Sequence, residues 1–178
     1  MRTAKWTVIA VLLAAIAAFL NWSLPSRDIV RILETDVVRR TEQVTTNEGA
    51  ERSRTQDVRY INAIDTGGHP RVYRNEDTGW GWPPFFKFDS ANLAARATDA
   101  VSTEEAPRWM ILTSYGWRVP MFSMFPNAVS INEADGPDQM LIPWFNIVVL
   151  VVLGVAAFLL WRWLGRLVGR VWSRDKAA

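Results

Sequence analysis

LIPWFNIVVLVVLGVAAFLL, residues 141–160, is a run of twenty positions without Asp, Glu, Lys, Arg or His. A helix over that run is about 30 Å long at 1.5 Å per residue, the thickness of a bilayer's hydrocarbon core. Pro143 stands at its opening, where a missing N–H costs a helix little. Trp144 and Trp161 bracket it, as amphipathic rings at the two headgroup levels would. The reading is a transmembrane helix over 141–161; the alternative, a buried hairpin helix, is poorly served by so long a stretch with no charged face. Working toward the N-terminus, WTVIAVLLAAIAAFL at 6–20 is also uncharged, and Asn21 to Leu24 extend it before Pro25. Nineteen residues reach about 28 Å, enough to cross.

The first run has a competing reading. Arg2 and Lys5 before an apolar stretch, with Ala15-Ile16-Ala17 as a small-x-small site, also describe a cleavable signal peptide. Trp6 and Trp22 at its two ends and the full length to residue 24 favour a retained signal-anchor. Either way the middle of the chain is sent across the membrane. Positive charge next to a span stays cytoplasmic. Arg2 and Lys5 precede the first run, and Arg162, Arg166, Arg170, Arg174 and Lys176 follow the second. Both termini are expected in the cytoplasm, with 25–140 in the periplasm of a bacterial inner-membrane protein. On a helical wheel the four tail arginines share one arc opposite Trp161, Leu164, Val168, Val171 and Trp172. That tail, 162–178, either kinks at Gly165 or Gly169 and lies on anionic headgroups, or continues straight with its arginines reaching the phosphates. Ala10, Ala14 and Ala18 form a stripe suited to close helix packing, against the second span or a partner's helix.

The net charge of +2 over 178 residues conceals a division. Residues 1–22 and 161–178 hold seven Lys/Arg against one Asp, whereas 23–140 hold thirteen against seventeen acids. A middle segment at −4 opposes nucleic-acid binding. The chain has no Cys, which excludes a disulfide framework, thiolate metal sites and a Cys nucleophile. Segments 28–39, 57–64 and 71–74 alternate branched or aromatic residues with charge and read as half-buried strands, with a turn at Thr66–Pro70. Residues 41–55 are polar and read as a mobile loop or a long hairpin tip. A short strand is expected at 85–88, then a helix over 91–101 capped by Asp89 or Ser90, then strands over 108–118 and 121–131 with Pro120 between them. About six strands and one helix make a small α+β domain, with a partly closed barrel as one architecture that accommodates them.

Functional chemistry concentrates at 73–89, YRNEDTGWGWPPFFKFD. Trp80, Trp82, Phe85 and Phe86, joined by Tyr115, are the candidate interaction residues, because Trp and Tyr are enriched where proteins meet. Gly and Pro in the same stretch also suit plain tight turns. Glu76 and Asp77, with Arg74 and His69, form the candidate carboxylate site. His69 is the sole histidine, so an intrachain catalytic triad or multi-His metal site has nothing else to build on. Glu133, Asp135 and Asp138 around Gly136 resemble a calcium loop only loosely, lacking the full spacing and the closing Glu. No Walker motif, dinucleotide fingerprint or nucleophile elbow is present.

VYRNEDTGWGWPPFFKFD (72–89), with LPSRDIVRI (24–32), QDVRYINA (56–63), YGWR (115–118) and FSMFPNAVSI (122–131), resembles a bacterial membrane family known as domain of unknown function 1523, common among alphaproteobacteria. The likeness runs from about residue 5 to 165. It implies the two-span layout and an inner-membrane location, and carries over no catalytic residues. The expectation is a non-catalytic two-pass protein without cofactor or metal, whose outward domain binds a membrane-protein partner as an accessory or scaffolding subunit. The other reading is an envelope sensor or enzyme working at 69–89.

Overall fold

The computed structural model describes the backbone of residues 2–45 and 51–175 and the side chains of 3–39 and 57–166. Its elements are helix α1 (Arg2–Ser23), strands β1 (Ser26–Thr45), β2 (Glu51–Asp65) and β3 (Pro70–Arg74), helix α2 (Ser90–Asp99), strands β4 (Trp109–Tyr115) and β5 (Asn127–Glu133), and helix α3 (Trp144–Asp175). α1 and α3 are long and apolar enough to cross a membrane, and their apolar residues are exposed rather than packed into a core. The chain divides into two units at 141/142. α3 is a unit of its own. It starts after Pro143, so 141–143 lie outside the helix, and it runs through Gly165 and Gly169 to Asp175 as one helix. Arg162 and Arg166 are exposed on it; the side chains of Arg170 and Arg174 lie outside the described residues.

In the other unit five strands close a barrel in the order β1-β2-β3-β5-β4, with β4 returning to β1. β1 does double duty. Its first half pairs with β4 (Ser26↔Ser114 to Arg31↔Trp109) and its second with β2 (Val30↔Asp65 onward). The register slips at Leu33, an extra residue that bends the strand from one partner to the other. β3 and β5 meet in parallel at Arg74↔Asn127, and the other pairings are antiparallel. A closed five-stranded barrel of this order, with a helix between β3 and β4, has the topology of the oligonucleotide/oligosaccharide-binding fold. Topology alone assigns no ligand.

Alternation fills the interior. Along β4 every second residue, Met110, Leu112 and Ser114, is buried. Val30 and Ile32, Ile61 and Ala63, Tyr73, Ala128 and Ile131 complete the wall's inner face. α2 adds Leu93, Ala97 and Ala100, spaced four and three apart on one helical face, and packs against β1, β2 and β5. Tyr73 is fully buried, and its hydroxyl donates to Asp28 Oδ2 at 2.8 Å, which satisfies the one polar atom it brings into the core.

Two expectations are corrected here. Among the described residues the strands number five, because 85–88 is irregular: Phe85 N–H bonds back to Pro83 O in a turn, and Phe86 sits at φ 48°. Residues 121–131 are not one strand but a 3-10 turn at Pro120–Phe122, Ser123 at φ 51°, and β5 only from Asn127. Of the two readings of 41–55, the long hairpin tip is the one found: residues 41–45 and 51–55 continue the β1–β2 ladder to Thr45↔Glu51, while 46–50 lie outside the described residues.

Candidate functional site

The stretch between β3 and α2 is closed at its base and open at its tip. Thr78 and Gly79 both donate their N–H to Lys87 O, and Lys87 N–H donates to Thr78 Oγ1. These bonds pinch residues 79–86 into a loop of eight uncharged residues, GWGWPPFF. Lys87 is the pin. Only 4% of it is exposed, and its Nζ donates to Asn75 Oδ1 at 2.6 Å and to Ala128 O, on β5, at 2.7 Å. Burial pushes its ammonium down to about 8, against the pull of the Asp77, Asp89 and Glu76 carboxylates. Asn75 in turn donates to Ser90 O, and the Asn127 side-chain amide accepts from Glu76 N–H at Oδ1 and donates from Nδ2 to Glu76 O, so the loop base is tied to β3, β5 and α2 together.

The loop's aromatics divide between two tasks. Trp82 stacks on Phe19 of α1 at 5.7 Å with 18° between planes, and its Nε1–H donates to Ser23 Oγ at 3.0 Å. Phe85 stacks on Tyr115 at 5.0 Å, and Tyr115 meets Trp22 edge-on at 6.2 Å. From the other side Trp117 Nε1–H donates to Asn21 Oδ1, and Gly116 N–H to Trp22 O. Gly116 is at φ 99°, in the region that glycine alone enters freely, and that backbone aims its N–H at the end of α1. Phe19, Asn21, Trp22 and Ser23 are thus the last turn of α1, gripped by an aromatic collar from the β3–α2 and β4–β5 loops. Trp80 and Phe86 remain. They pack edge to face with each other at 5.5 Å, Trp80 also meets Phe88, and Trp80 is 84% exposed. Of the five aromatic residues singled out in the sequence, Trp82, Phe85 and Tyr115 serve the collar and Trp80 and Phe86 face outward. Trp22, Phe19 and Trp117 belong to the same cluster; in the sequence the first two read as part of the membrane span alone, and their adjacency to Trp82 and Tyr115 is set by the barrel.

The candidate carboxylate site is assembled only in part: Glu76 pairs with Arg74 and, with Asp77, acts on Lys87, while His69 stands apart. His69 sits in the β2–β3 turn, where the Asp65 carboxylate accepts from the N–H groups of Gly67 and His69 and from Arg71. Arg74 lies at the far end of β3, about 16 Å along the strand, and is ion-paired with Glu76 at 2.6 Å. Asp77 accepts from both the N–H and the hydroxyl of Ser90. It therefore caps α2 from thirteen residues upstream, while Asp89, at the N-cap position, makes no side-chain cap bond. Glu133, from the loose calcium pattern, pairs with Arg108 instead. Among the described residues no group of three or more His, Asp or Glu is placed to hold a metal ion.

Comparison with known proteins places the whole layout in a family. A family described as "Protein of unknown function (DUF1523)" matches residues 1–168, which takes in α1, the barrel and most of α3. The chain belongs to that family. A DUF1523 relative in sequence, an "Uncharacterized protein" of Haemophilus influenzae, is 37% identical over 136 residues, 74% of this chain and 76% of its own length. No solved structure matches the chain. The loop and the collar residues described above fall inside the DUF1523 match.

Proposed function

We propose that this DUF1523 protein is a non-catalytic two-pass inner-membrane protein, both termini cytoplasmic, that holds its barrel at a fixed height and orientation on the periplasmic face so that it binds a membrane-protein partner as an accessory or scaffolding subunit. One observation carries the reading. The last turn of α1 is part of the barrel's own bonding, through Gly116, Trp117, Trp82 and Tyr115, and only Leu24 and Pro25 separate the helix from β1. A helix wired this way transmits its position to the barrel. A flexible tether would serve a freely diffusing substrate; a rigid mount serves a partner whose own height is set by the same bilayer. Trp80 and Phe86, exposed beyond the collar, are the contact residues. Rigid aromatic rings lose little conformational freedom on binding and supply the anchors of interfaces. The exposed Arg162 and Arg166 of α3 face anionic headgroups on the cytoplasmic side.

A photo-crosslinking residue placed at Trp80 or at Phe86, in the full chain in native membranes, tests this. The expected result is a discrete adduct with one membrane protein, and loss of that protein's co-purification in Trp80→Ala with Phe86→Ala. Unchanged co-purification in the double variant, or adducts with lipid only, overturns the assignment of the contact residues.

A further inference from the structure

We propose that the β4–β5 loop, with the outer face of Trp82 beside it, is immersed in the interfacial layer of the outer leaflet next to α1. This rests on the reading that α1 spans the bilayer. The loop's tip, VPMFSMFP at 119–126, has no charge, and it displays its apolar side chains instead of burying them: Met121 is 84% exposed and Phe122 69%. The display is built. Val119 and Met124 exchange both backbone bonds, Phe122 N–H donates to Val119 O, and Ser123 N–H donates to Pro120 O with Ser123 at φ 51°. A turn tied by these four backbone bonds, with the loop's one non-glycine left-handed residue at Ser123, holds Met121 and Phe122 outward in water for no gain within the chain.

The depth of the loop is set by α1. The chain leaves β4 at Gly116 and Trp117, which bond the last turn of the helix, and Pro126 returns alongside Gly116. Trp82 stacks on Phe19, one turn inside the end of the apolar run. Rings that share the depth of Phe19 share its surroundings. The cationic residue at the loop's root, Arg118, donates to Pro70 O on the barrel side, so charge stops where the uncharged tip begins. Apolar tip, indole rings at the boundary and arginine behind them is the order in which a protein segment partitions into the headgroup and upper acyl region. Continuity with the helix makes lipid, rather than a protein, the occupant of this loop, and leaves Trp80 and Phe86 as the separate contact patch.

The cysteine-free chain allows single-site labelling of the full-length protein. An environment-sensitive fluorophore is attached at Met121→Cys, Phe122→Cys, Glu104→Cys or Val11→Cys in nanodiscs of phosphatidylethanolamine and phosphatidylglycerol. Glu104 precedes β4, at the end of that strand remote from Tyr115, and Val11 is mid-span. Probes at 121 and 122 are expected to be quenched by a nitroxide carried high on the lipid acyl chain, and to show a several-fold lower iodide quenching constant than the probe at 104. A probe at 121 as open to iodide as at 104, with 11 quenched by deep nitroxides, overturns the loop's immersion and leaves the span intact. Shielding from iodide without lipid quenching also overturns it, since a protein then covers the loop. A probe at 11 that no lipid nitroxide reaches overturns the span itself.

Discussion

Lys87→Met, compared with the wild type across pH, tests whether a buried amine fastens the aromatic loop. Desolvation takes the Lys87 ammonium from its ordinary 10.5 down to about 8 in the folded chain, the Asp77, Asp89 and Glu76 carboxylates resisting. The unfolded chain keeps the ordinary value. Between pH 8 and 10.5 the unfolded state therefore holds a proton that the folded state has released, and stability rises with pH. Below pH 8 both states are charged, and the folded state bears the full cost of burying the ammonium. Above 10.5 neither is. Nothing is lost on deprotonation, because a neutral amine keeps two N–H groups, matched to Asn75 Oδ1 at 2.6 Å and Ala128 O at 2.7 Å. The shift corresponds to roughly 3 kcal/mol, reduced to about 2 kcal/mol by solvent screening of the ammonium. Methionine removes the titration and leaves two acceptors without donors, each costing about 1–3 kcal/mol where buried. The stability gap between wild type and Lys87→Met is thus expected to widen by about 2 kcal/mol from pH 8 to 10.5. Denaturant unfolding of the full chain in detergent, followed by tryptophan fluorescence, reads the gap, and groups common to both proteins cancel. A gap that stays flat or narrows as pH rises refutes the reasoning.

Other expectations concern the collar and the β2–β3 turn. Gly116→Ala meets ordinary contacts at Pro126 and Trp22 but must hold φ near 99°; a loss of about 1–2 kcal/mol is expected, read by thermal unfolding. Trp82→Phe keeps a ring over Phe19 and loses the bond to Ser23, for about 1 kcal/mol, whereas Trp82→Ala loses both, for about 2–3 kcal/mol; equal losses would show the stack to be idle. Asp65 is held down at about 2, first by the His69 N–H and then by Arg71 and Gly67. A lowered carboxyl contributes stability at pH 4 and above and loses it as pH falls through about 2. Asp65→Asn is expected to flatten the acid limb of the unfolding profile between pH 4 and 2, and an unchanged limb would remove Asp65 from it.

What the sequence made legible follows from which forces act locally. The two uncharged runs needed no context: α1 takes in the first as far as Ser23, and α3 starts at Trp144, inside the second, and continues well past it to Asp175. β2, β3 and β4 alternate over short windows and are found within a few residues of their expected bounds. α2 begins one residue early, at Ser90, because its first free N–H is met by Asp77, a cap too distant in sequence to recognise. The polar ladder at 41–45 and 51–55 lacks an apolar face, which left a loop and a hairpin tip equally open from sequence. Its backbone register sets Glu42 opposite Arg54 and Thr41 opposite Thr55. In 121–131, apolar residues suggested a strand, but Pro120, Ser123 at φ 51° and Pro126 break it, and Met121 and Phe122 point outward. The site behaved likewise: Trp80 and Trp82 were visible as aromatics, yet which one grips α1 depends on barrel closure, and Lys87 gave no sign of burial.

Labelling single cysteines in intact cells and spheroplasts with a membrane-impermeant maleimide tests the central claim most directly, since the native chain contributes no thiol of its own. Glu104→Cys in the barrel is expected to react from outside the inner membrane, and cysteines at Thr3 and Lys176 only after the membrane is opened. Reaction at 3 or 176 in sealed spheroplasts, with 104 protected until lysis, would contradict the account.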